Sequence, residues 1–562
     1  MTAQIEGVRQ KRLTTIAAVE FDVCVIGGGA TGAGCALDAQ TRGLSTLMVE
    51  AGDFSSATSS CSTKLVHGGV RYLQQAVTQL DAGQYHVVRR ALRERIVMIA
   101  NAPYLAHPLR FVIPCSNWFQ AIYYGFGMKL YEWVSGKASL FTSSFYGRTV
   151  LGERVPHLMA EKFVGGVVYA DGQFDDARFN LMLVKTFSEA GGTALNYARV
   201  ERFLKSSDGR ITGAIAVDKL TGSQFEIRAK AFVNATGPFA DQLRQQARPG
   251  ATQRLRVSRG SHILVPLDKM PSPDALMIPK TADGRLIFVI PWLGFLLIGT
   301  TDDESTVDDD LMIKPAEIDY LLSYANQYLD SKIARKDILA CFVGLRPLVS
   351  SGTGAATKKL IRDHEVEVDT ASGLVNILGG KWTTYRAMAE DTIDAVQRQL
   401  GTPVKGCKTA SMQLAGSERY GAEYWKTLVD THAVSEQTAR HLAAKFGTRA
   451  GRLLKLADDE PQLRSPLVAG SPAIRAEVVY SIREEMACTI EDILARRIGM
   501  QFVDWQASLQ AAPVVAGYLA REFGWDQNTE IEAVHTYSGK IRLALETSGL
   551  AAVELNHRLP GD

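Results

Sequence analysis

An α/β fold with an antiparallel middle portion and an all-helical tail is what this sequence predicts, and three features predict it. A short apolar run, Phe21 to Ile26, breaks into Gly27-Gly28-Gly29 and an Ala-rich helical stretch; a second run, Leu44 to Glu50, then closes a β-α-β unit. From roughly residue 160 to 345 the texture changes to short strands separated by turn signals. After Gly401-Thr402-Pro403 the pattern turns helical to the end.

Composition bounds the answer. A chain of 562 residues has room for several domains of ~100–200 residues each. With 46% apolar and 22% charged residues it is neither disordered nor fibrous. Its 62 basic and 60 acidic side chains leave a formal charge of +2, which argues against a nucleic-acid partner and makes any phosphate recognition local. Seven scattered cysteines with no C-x-x-C pair fit a reducing compartment and give no structural zinc site. Ten histidines without an H-x-x-x-H pair predict no catalytic metal.

Residues 1–20 are polar, carry no secretory h-region and read as a loose leader. The most apolar run, Leu286 to Thr300, is shorter than the ~20 residues that span a bilayer; with Pro291 and two glycines it reads as two buried strands. The protein is therefore expected to be cytosolic or membrane-peripheral. Residues 21–404 are expected to form one discontinuous nucleotide- and substrate-binding unit. Ala229 to Gly237 and Gly373 to Lys381 return to the first sheet, and the substrate-domain strands lie mainly within about 250–345. Residues 405–562 read as a separate all-α domain, a stabilising or homodimer-forming appendage. Within it Thr489-x-x-Asp492 resembles a capping box, Ile490, Ile493, Leu494 and Ile498 share a helix face, and Pro513 is expected to start another helix.

The first chemical motif is Gly27-x-Gly29-x-x-Gly32, with Glu50 at the tip of the second strand. The first glycine allows the tight turn, the second lets a pyrophosphate approach the helix N-terminus, and the third permits close helix–strand packing. An acid at Glu50 can accept hydrogen bonds from a ribose diol. The motif alone fits NAD or FAD. The hydroxyl-rich segment DFSSATSSCSTKLVHGGVRY, residues 53–72, favours FAD: it can wrap a long cofactor through Thr58, Ser59, Ser62, Lys64, His67, Gly68 and Gly69. Two later glycine-terminated strands offer further close approaches, at Thr236 and Gly237 and at Gly380 and Thr384, and Val200 joins this set. The fold class expected is an FAD-binding Rossmann-like domain, an antiparallel-sheet substrate domain and a C-terminal all-α domain; the resemblance that follows implies the glutathione-reductase/amine-oxidase type for the first.

The segments VIGGGATGAGCALDAQTRG, SSCSTKLVHGGVRYL, DDARFN, VNATGP, GSHILVP, FVIPW, IGTTDDE, GLRPLVS, IRDHEV and GGKWTTYR resemble the FAD-dependent, aerobic glycerol-3-phosphate dehydrogenase family from about residue 20 to 400. The stretch TIEDILARRIGMQFVDWQASLQAAPVVAGYLAREFGW is similar to the family's C-terminal domain. The resemblance implies oxidation of sn-glycerol 3-phosphate to dihydroxyacetone phosphate, hydride transfer to FAD, and electron delivery to a membrane quinone. It also implies a peripheral position on the inner face of the cell membrane. Arg71, Arg346, Arg362 and Lys381 match positions that surround substrate in the family, and four cations suit a phosphate plus a developing alkoxide. His262 is the expected general base, since a histidine with intrinsic pKa ~6.5 can take the hydroxyl proton near neutrality. Arg346, always protonated, suits the alkoxide instead. Tyr72 and Thr383 are expected to hydrogen-bond substrate, and His67 to serve the flavin loop rather than the chemistry.

Asn117 to Trp133 is crowded with aromatics, with Lys129 among them and Lys137 close by. It reads either as an amphipathic core helix or as a membrane-interface segment, and the resemblance favours the second. Rival readings keep the fold: an oxidase that uses O2, a dehydrogenase of another polyol phosphate, a flavin amine oxidase, or a non-catalytic FAD-stabilised scaffold. Cys61 has no partner cysteine beside it and is not expected to be redox-active.

Overall fold

The computed structural model describes residues 3–69, 82–279, 281–307, 311–350 and 364–550. Its first sheet has eight strands among the described residues. Strand Glu20–Ile26 lies at its centre, paired in parallel with Thr46–Val49 on one side and Gln224–Asn234 on the other. Thr193–Leu195 and Val375–Gly379 extend it in parallel, and His364–Val368 pairs antiparallel at one edge. Its central strands read as continuous apolar runs because helices cover them. Helix Ala30–Thr41 packs on the sheet through Ala33 and Ala36, both fully buried, and against helix Tyr385–Gln399 at Gly34, where a side chain would meet Tyr385 and Ala389.

The second sheet is larger and mostly antiparallel. Leu255–Pro266 is its hub, pairing along its length with Ala340–Val349 and on its other side with Phe295–Gly299 and Asp303–Ser305. The run 286–300 indeed makes two strands, Ile287–Trp292 and Phe295–Gly299. Most strands of this sheet fall in the expected stretch of about 250–345, but not all of them do. Leu65–Val66, Ala106–Cys115, Ser144–Gly147 and Gly165–Phe174 also belong to it.

Two further expectations are corrected. The first twenty residues are not a loose leader: Ala3–Ala18 is a helix that buries Leu13 and Ile16. Its Arg9 guanidinium grips both oxygens of Asp218, at 2.7 and 2.9 Å. Pro513 does not start a helix but lies inside Trp505–Phe523. A proline there forfeits a backbone hydrogen bond, a cost of about 3 kcal/mol. The burial of Leu509, Ala512, Val515, Ala516 and Leu519 along one face offsets it.

The tail is helical, as expected, but it shares a core with the second sheet. Ile493, Leu494, Val515 and Leu519 belong to the same apolar cluster as Ile263 and Leu264. Thr489 and Asp492 do cap reciprocally: the Asp492 amide donates to Thr489 Oγ1 at 3.1 Å, and the Thr489 amide donates to the Asp492 carboxylate at 3.0 Å. The next turn, Asp492–Arg497, winds as a π-helix and delivers Arg496 and Arg497 together to the fully buried Asp53 of the first domain. Burial pushes the Asp53 carboxyl up, but the two guanidiniums outweigh it and hold the pKa below the ordinary carboxylate range. The stabilisation is therefore present above about pH 4 and is lost as pH falls through the lower, folded value.

Replacing Asp53→Asn leaves two buried cations without their counter-charge. It should destabilise the protein by roughly 3–5 kcal/mol, read as a lowered thermal midpoint, with the helical tail more open to proteolysis. An unchanged midpoint would show that the cluster does not hold the two regions together.

Candidate active site

Two cavities meet between the sheets. The first, of about 620 Å³, runs from the glycine-rich turn past Glu50, the segment 55–59, Val200, Thr236 and Gly237 to Gly380 and Lys381. The second, of about 320 Å³, is walled by Thr63, His67, His262, Arg346 and Thr383. Thr58, Pro347, Gly380, Lys381 and Trp382 line both, so the two are continuous.

The first cavity has the shape and donors a dinucleotide needs. Gly27 and Gly29 line it; Gly32 lies one turn behind, where any side chain would fall on the Gly27 carbonyl. The helix Ala30–Thr41 points its N-terminus at the cavity, and Ser59 Oγ accepts from its first amide, Ala30, at 2.9 Å. Burial pushes the Glu50 carboxyl up, against the amides of Gly28 at 2.6 Å and Gly52 at 2.8 Å that favour its ionised form. It lines the cavity, where a ribose hydroxyl can reach it. Ser55 Oγ is buried on this wall with no partner among the described residues, a hydroxyl left for a ligand. Thr236 Oγ1 donates to Asn234 Oδ1 at 2.7 Å, while Gly237, at φ +59°, and Gly380, at φ +86°, hold the left-handed turns that bring backbone close. These residues fit the expected FAD.

The segment 58–69 divides the cavities. From Thr63 to Gly69 its residues alternate as a strand does, with Thr63, Leu65, His67 and Gly69 facing the second cavity. Lys64, Val66 and Gly68 point away and are buried. The reading of Lys64 as a cofactor contact therefore does not fit its ammonium. That group is fully buried, 2.6 Å from Asp176, among the rings of Trp292, Phe342 and Phe502. Ser62 lines the second cavity but also gives its hydroxyl to Asp176, at 2.7 Å. Gly68 donates its amide to Tyr131 at 2.8 Å, and a side chain there would strike Leu92 and Tyr131. Thr58 gives its hydroxyl to the Leu345 carbonyl at 2.7 Å, tying the segment to the second sheet. Thr384 lies behind the cavities and donates to the Lys381 carbonyl at 3.2 Å.

In the second cavity, His262 and Arg346 are neighbours from paired strands. The His262 ring stacks on Phe342 at 4.7 Å, and Gly299 leaves space at its edge. Burial first, then the Arg346 and Lys64 cations, push its pKa well below the usual histidine value, so the ring is neutral at neutral pH. Arg346 packs over Gly260, where any side chain would overlap the guanidinium. It is aimed by Thr300 Oγ1 at 2.9 Å, the Thr301 carbonyl at 3.1 Å and Asp302 at 3.4 Å. Thr383 Oγ1 accepts from the His67 amide at 3.3 Å, and His67 itself faces this cavity rather than the first. Arg71, Tyr72 and Arg362 lie outside the described residues.

Sequence reasoning missed Thr63, whose hydroxyl sits 2.9 Å from His262 Nε2, and Arg285, Asp171 and Asp302 on the cavity wall. The two-residue alternation through the hydroxyl-rich segment would have put Thr63 and His67 on one face and Lys64 on the other. Burial pushes the Cys61 thiol up, which leaves it a poor nucleophile.

Residues 22–394 match the family described as FAD dependent oxidoreductase, and residues 407–530 match the C-terminal domain of alpha-glycerophosphate oxidase. The chain is 41% identical over 528 residues to the mitochondrial glycerol-3-phosphate dehydrogenase of Bos taurus, covering 92% of this chain and 72% of that one. It is 40% identical over 531 residues to the mitochondrial enzyme of Arabidopsis thaliana, covering 91% and 84%. Among solved structures, the glycerol-3-phosphate dehydrogenase of Bacillus halodurans complexed with FAD superposes with a TM-score of 0.78 at 30% identity, over 97% of this chain and 99% of that one.

Two outcomes check the site. Replacing Gly32→Val drives a side chain onto the Gly27 carbonyl, so the purified protein should lose its flavin absorbance; full flavin content would contradict the cradle. A neutral, buried His262 favours folding above its unfolded pKa of about 6.5, and this contribution is lost as pH falls below that value. Between about pH 7.5 and 5.5 the thermal midpoint of His262→Gln should therefore fall less steeply than that of the unaltered protein. Parallel curves would contradict the assigned protonation state.

Proposed function

Because the chain belongs to the FAD-dependent glycerol-3-phosphate dehydrogenase family, we propose that it oxidises sn-glycerol 3-phosphate to dihydroxyacetone phosphate and passes the electrons to a membrane quinone. The observation that carries the chemical half is the pairing of a neutral His262 with the Arg346 cation in a cavity that opens into the dinucleotide site. FAD, when bound, supplies the hydride acceptor.

Oxidising a secondary alcohol removes a hydroxyl proton and a carbon-bound hydride. His262, kept neutral by its surroundings, is ready to hold that proton. Arg346 is held in one orientation by Thr300, Thr301 and Asp302, and it stabilises negative charge on the substrate oxygen without reorganising. Lys381 lies where the two cavities join and adds positive charge for a dianionic phosphate; Arg71 and Arg362 are assigned the same task by family resemblance.

The membrane half rests on helix Trp118–Ser135. Trp118, Phe119, Ile122, Phe126 and Trp133 form an outward stripe, each more than 60% exposed, and the ring of Phe145 from the adjoining strand lies 5.6 Å from that of Trp118, tilted by 34°. No helix among the described residues is long and apolar enough to cross a membrane. A stripe rich in Trp, Tyr and Phe on one face of a surface helix suits the interfacial layer of a bilayer. The same helix turns Tyr131 inward, where its hydroxyl donates to Asp171 on the cavity wall at 3.0 Å. A lipid-soluble acceptor at the outer face is thus one helix away from the reaction cavity.

Anaerobic mixing of the holoenzyme with sn-glycerol 3-phosphate should bleach the flavin, and a quinone in vesicles should restore the colour far faster than air. Recovery by air at the quinone rate would identify an oxidase, and absence of bleaching would reject the substrate. Replacing Arg346→Met should slow bleaching roughly 10- to 150-fold, the effect of one charge-assisted hydrogen bond of ~1.5–3 kcal/mol. The pair Phe119→Ser and Phe126→Ser should abolish co-flotation with vesicles and leave anaerobic bleaching unchanged. Retained flotation would remove the helix from the membrane contact.

A further inference from the structure

His262 is not open to the reaction cavity on all sides. Phe342 covers one face of its ring at 4.7 Å and 18° between planes, and the Gly299 backbone closes the Cδ2 edge. Only about 1% of the residue is exposed. Its Nε2 atom is met at 2.9 Å by the hydroxyl of Thr63, which itself lines the cavity. Nδ1 is buried without a hydrogen-bonding partner among the described residues. In the tautomer that carries its proton on Nδ1, the Nε2 lone pair accepts from Thr63.

We propose that Thr63 relays the substrate proton to His262, as a catalytic hydroxyl standing between the alcohol and the imidazole. The inference rests on the alcohol-oxidising reading above. The balance is simple. The substrate O–H bond breaks and its proton joins Thr63 Oγ1, while the Thr63 O–H bond breaks and its proton joins His262 Nε2. The C–H electron pair leaves as hydride to the flavin acceptor, and a carbonyl forms. Threonine ends as it began, and histidine ends as the imidazolium.

The charges around the pair act on both ends of this transfer. Arg346, from strand Ala340–Val349, lines the same cavity; its cation stabilises the alkoxide while the proton departs and also holds the His262 pKa down. Lys64, from the same segment as Thr63, pairs with Asp176 at 2.6 Å and weighs against protonation of the ring behind burial and Arg346. Asp302 lies against the Arg346 guanidinium at 3.4 Å, and Asp171, Arg285, His67 and Lys381 are other titratable groups lining the cavity. The segment's alternation fixes the hydroxyl in place: Ser62 and Lys64, on either side of Thr63, are both tied to Asp176.

The test uses the holoenzyme with three chains: unaltered, Thr63→Val, which keeps the shape and loses the hydroxyl, and Thr63→Ser, which keeps the hydroxyl. At saturating sn-glycerol 3-phosphate, Thr63→Val should slow anaerobic flavin bleaching on the order of 100-fold, with flavin content and KM little changed. Thr63→Ser should restore most of the rate. The ¹⁵N resonances of the His262 ring should shift in Thr63→Val, through loss of the bond at Nε2, and return in Thr63→Ser. This readout needs no turnover. Bleaching by Thr63→Val at the unaltered rate, or a serine variant as slow as the valine, would overturn the relay. Failure of the unaltered protein to bleach would instead reject the substrate reading, while the nitrogen resonances would still report on the Thr63–His262 bond.

Discussion

The fully buried Asp176 carboxylate is the constraint on which both halves of the site depend. It accepts from the Ser62 amide at 3.0 Å, the Ser62 hydroxyl at 2.7 Å and the Lys64 ammonium at 2.6 Å, so it pins the segment that separates the two cavities. Its neighbours on helix Asp176–Glu189 make the other long-range ties. Asn180 donates to the Gly28 carbonyl in the glycine-rich turn at 2.8 Å, and Arg178 makes a bidentate pair with Glu485 of the helical tail at 2.7 and 2.8 Å. Asp175 caps the helix through the Arg178 amide and meets Lys445 of the tail at 3.0 Å. One helical turn, DDARFN, thereby holds the dinucleotide turn, the dividing segment and the tail in one register. Breaking any of these buried ion pairs leaves an uncompensated charge, which is why they specify geometry as well as stability.

That arrangement changes the standing of the helical tail. An appendage would touch the catalytic region through solvent-exposed, separable contacts. Here the tail supplies Arg496 and Arg497 to Asp53, Glu485 to Arg178 and Lys445 to Asp175, and its apolar face merges with the core beneath the His262 strand. The tail is thus part of the frame on which the two cavities are built.

How much of this was legible in the sequence varied with the range of the interaction. The β-α-β unit was legible because its glycine spacing answers to steric demands of the turn: a side chain at Gly32 would fall on the Gly27 carbonyl, and one at Gly27 on the Ala235 carbonyl. The paired strands within 286–300 were legible from Gly294, which makes the turn between them; Pro291, the other break the sequence offered, lies inside the first strand. The partners of Asp175, Asp176 and Arg178 were not, since charges adjacent in sequence carry no sign of which distant group they meet. Lys64 was misjudged because a hydroxyl-rich segment announces proximity to a ligand without saying which face points there; Thr63 was missed for the same reason. The leader was misread as loose because its buried apolar residues, Leu13 and Ile16 among those described, stand in a stretch rich in charged and polar side chains. For the aromatic segment, the sequence supplied the rings, and only the structure shows which of them face outward.

The most direct measurement is the content and anaerobic reduction rate of flavin in Asp176→Asn, mixed with sn-glycerol 3-phosphate beside the unaltered protein. With its anchor neutralised and Lys64 left charged in an apolar enclosure, the dividing segment should shift, and both flavin content and reduction rate should fall. Adding Lys64→Met, which removes the stranded charge, should recover flavin content ahead of rate, because Thr63 and His67 would still lack their fixed register. Wild-type flavin content together with a wild-type rate in Asp176→Asn would contradict the claim that this carboxylate organises the site.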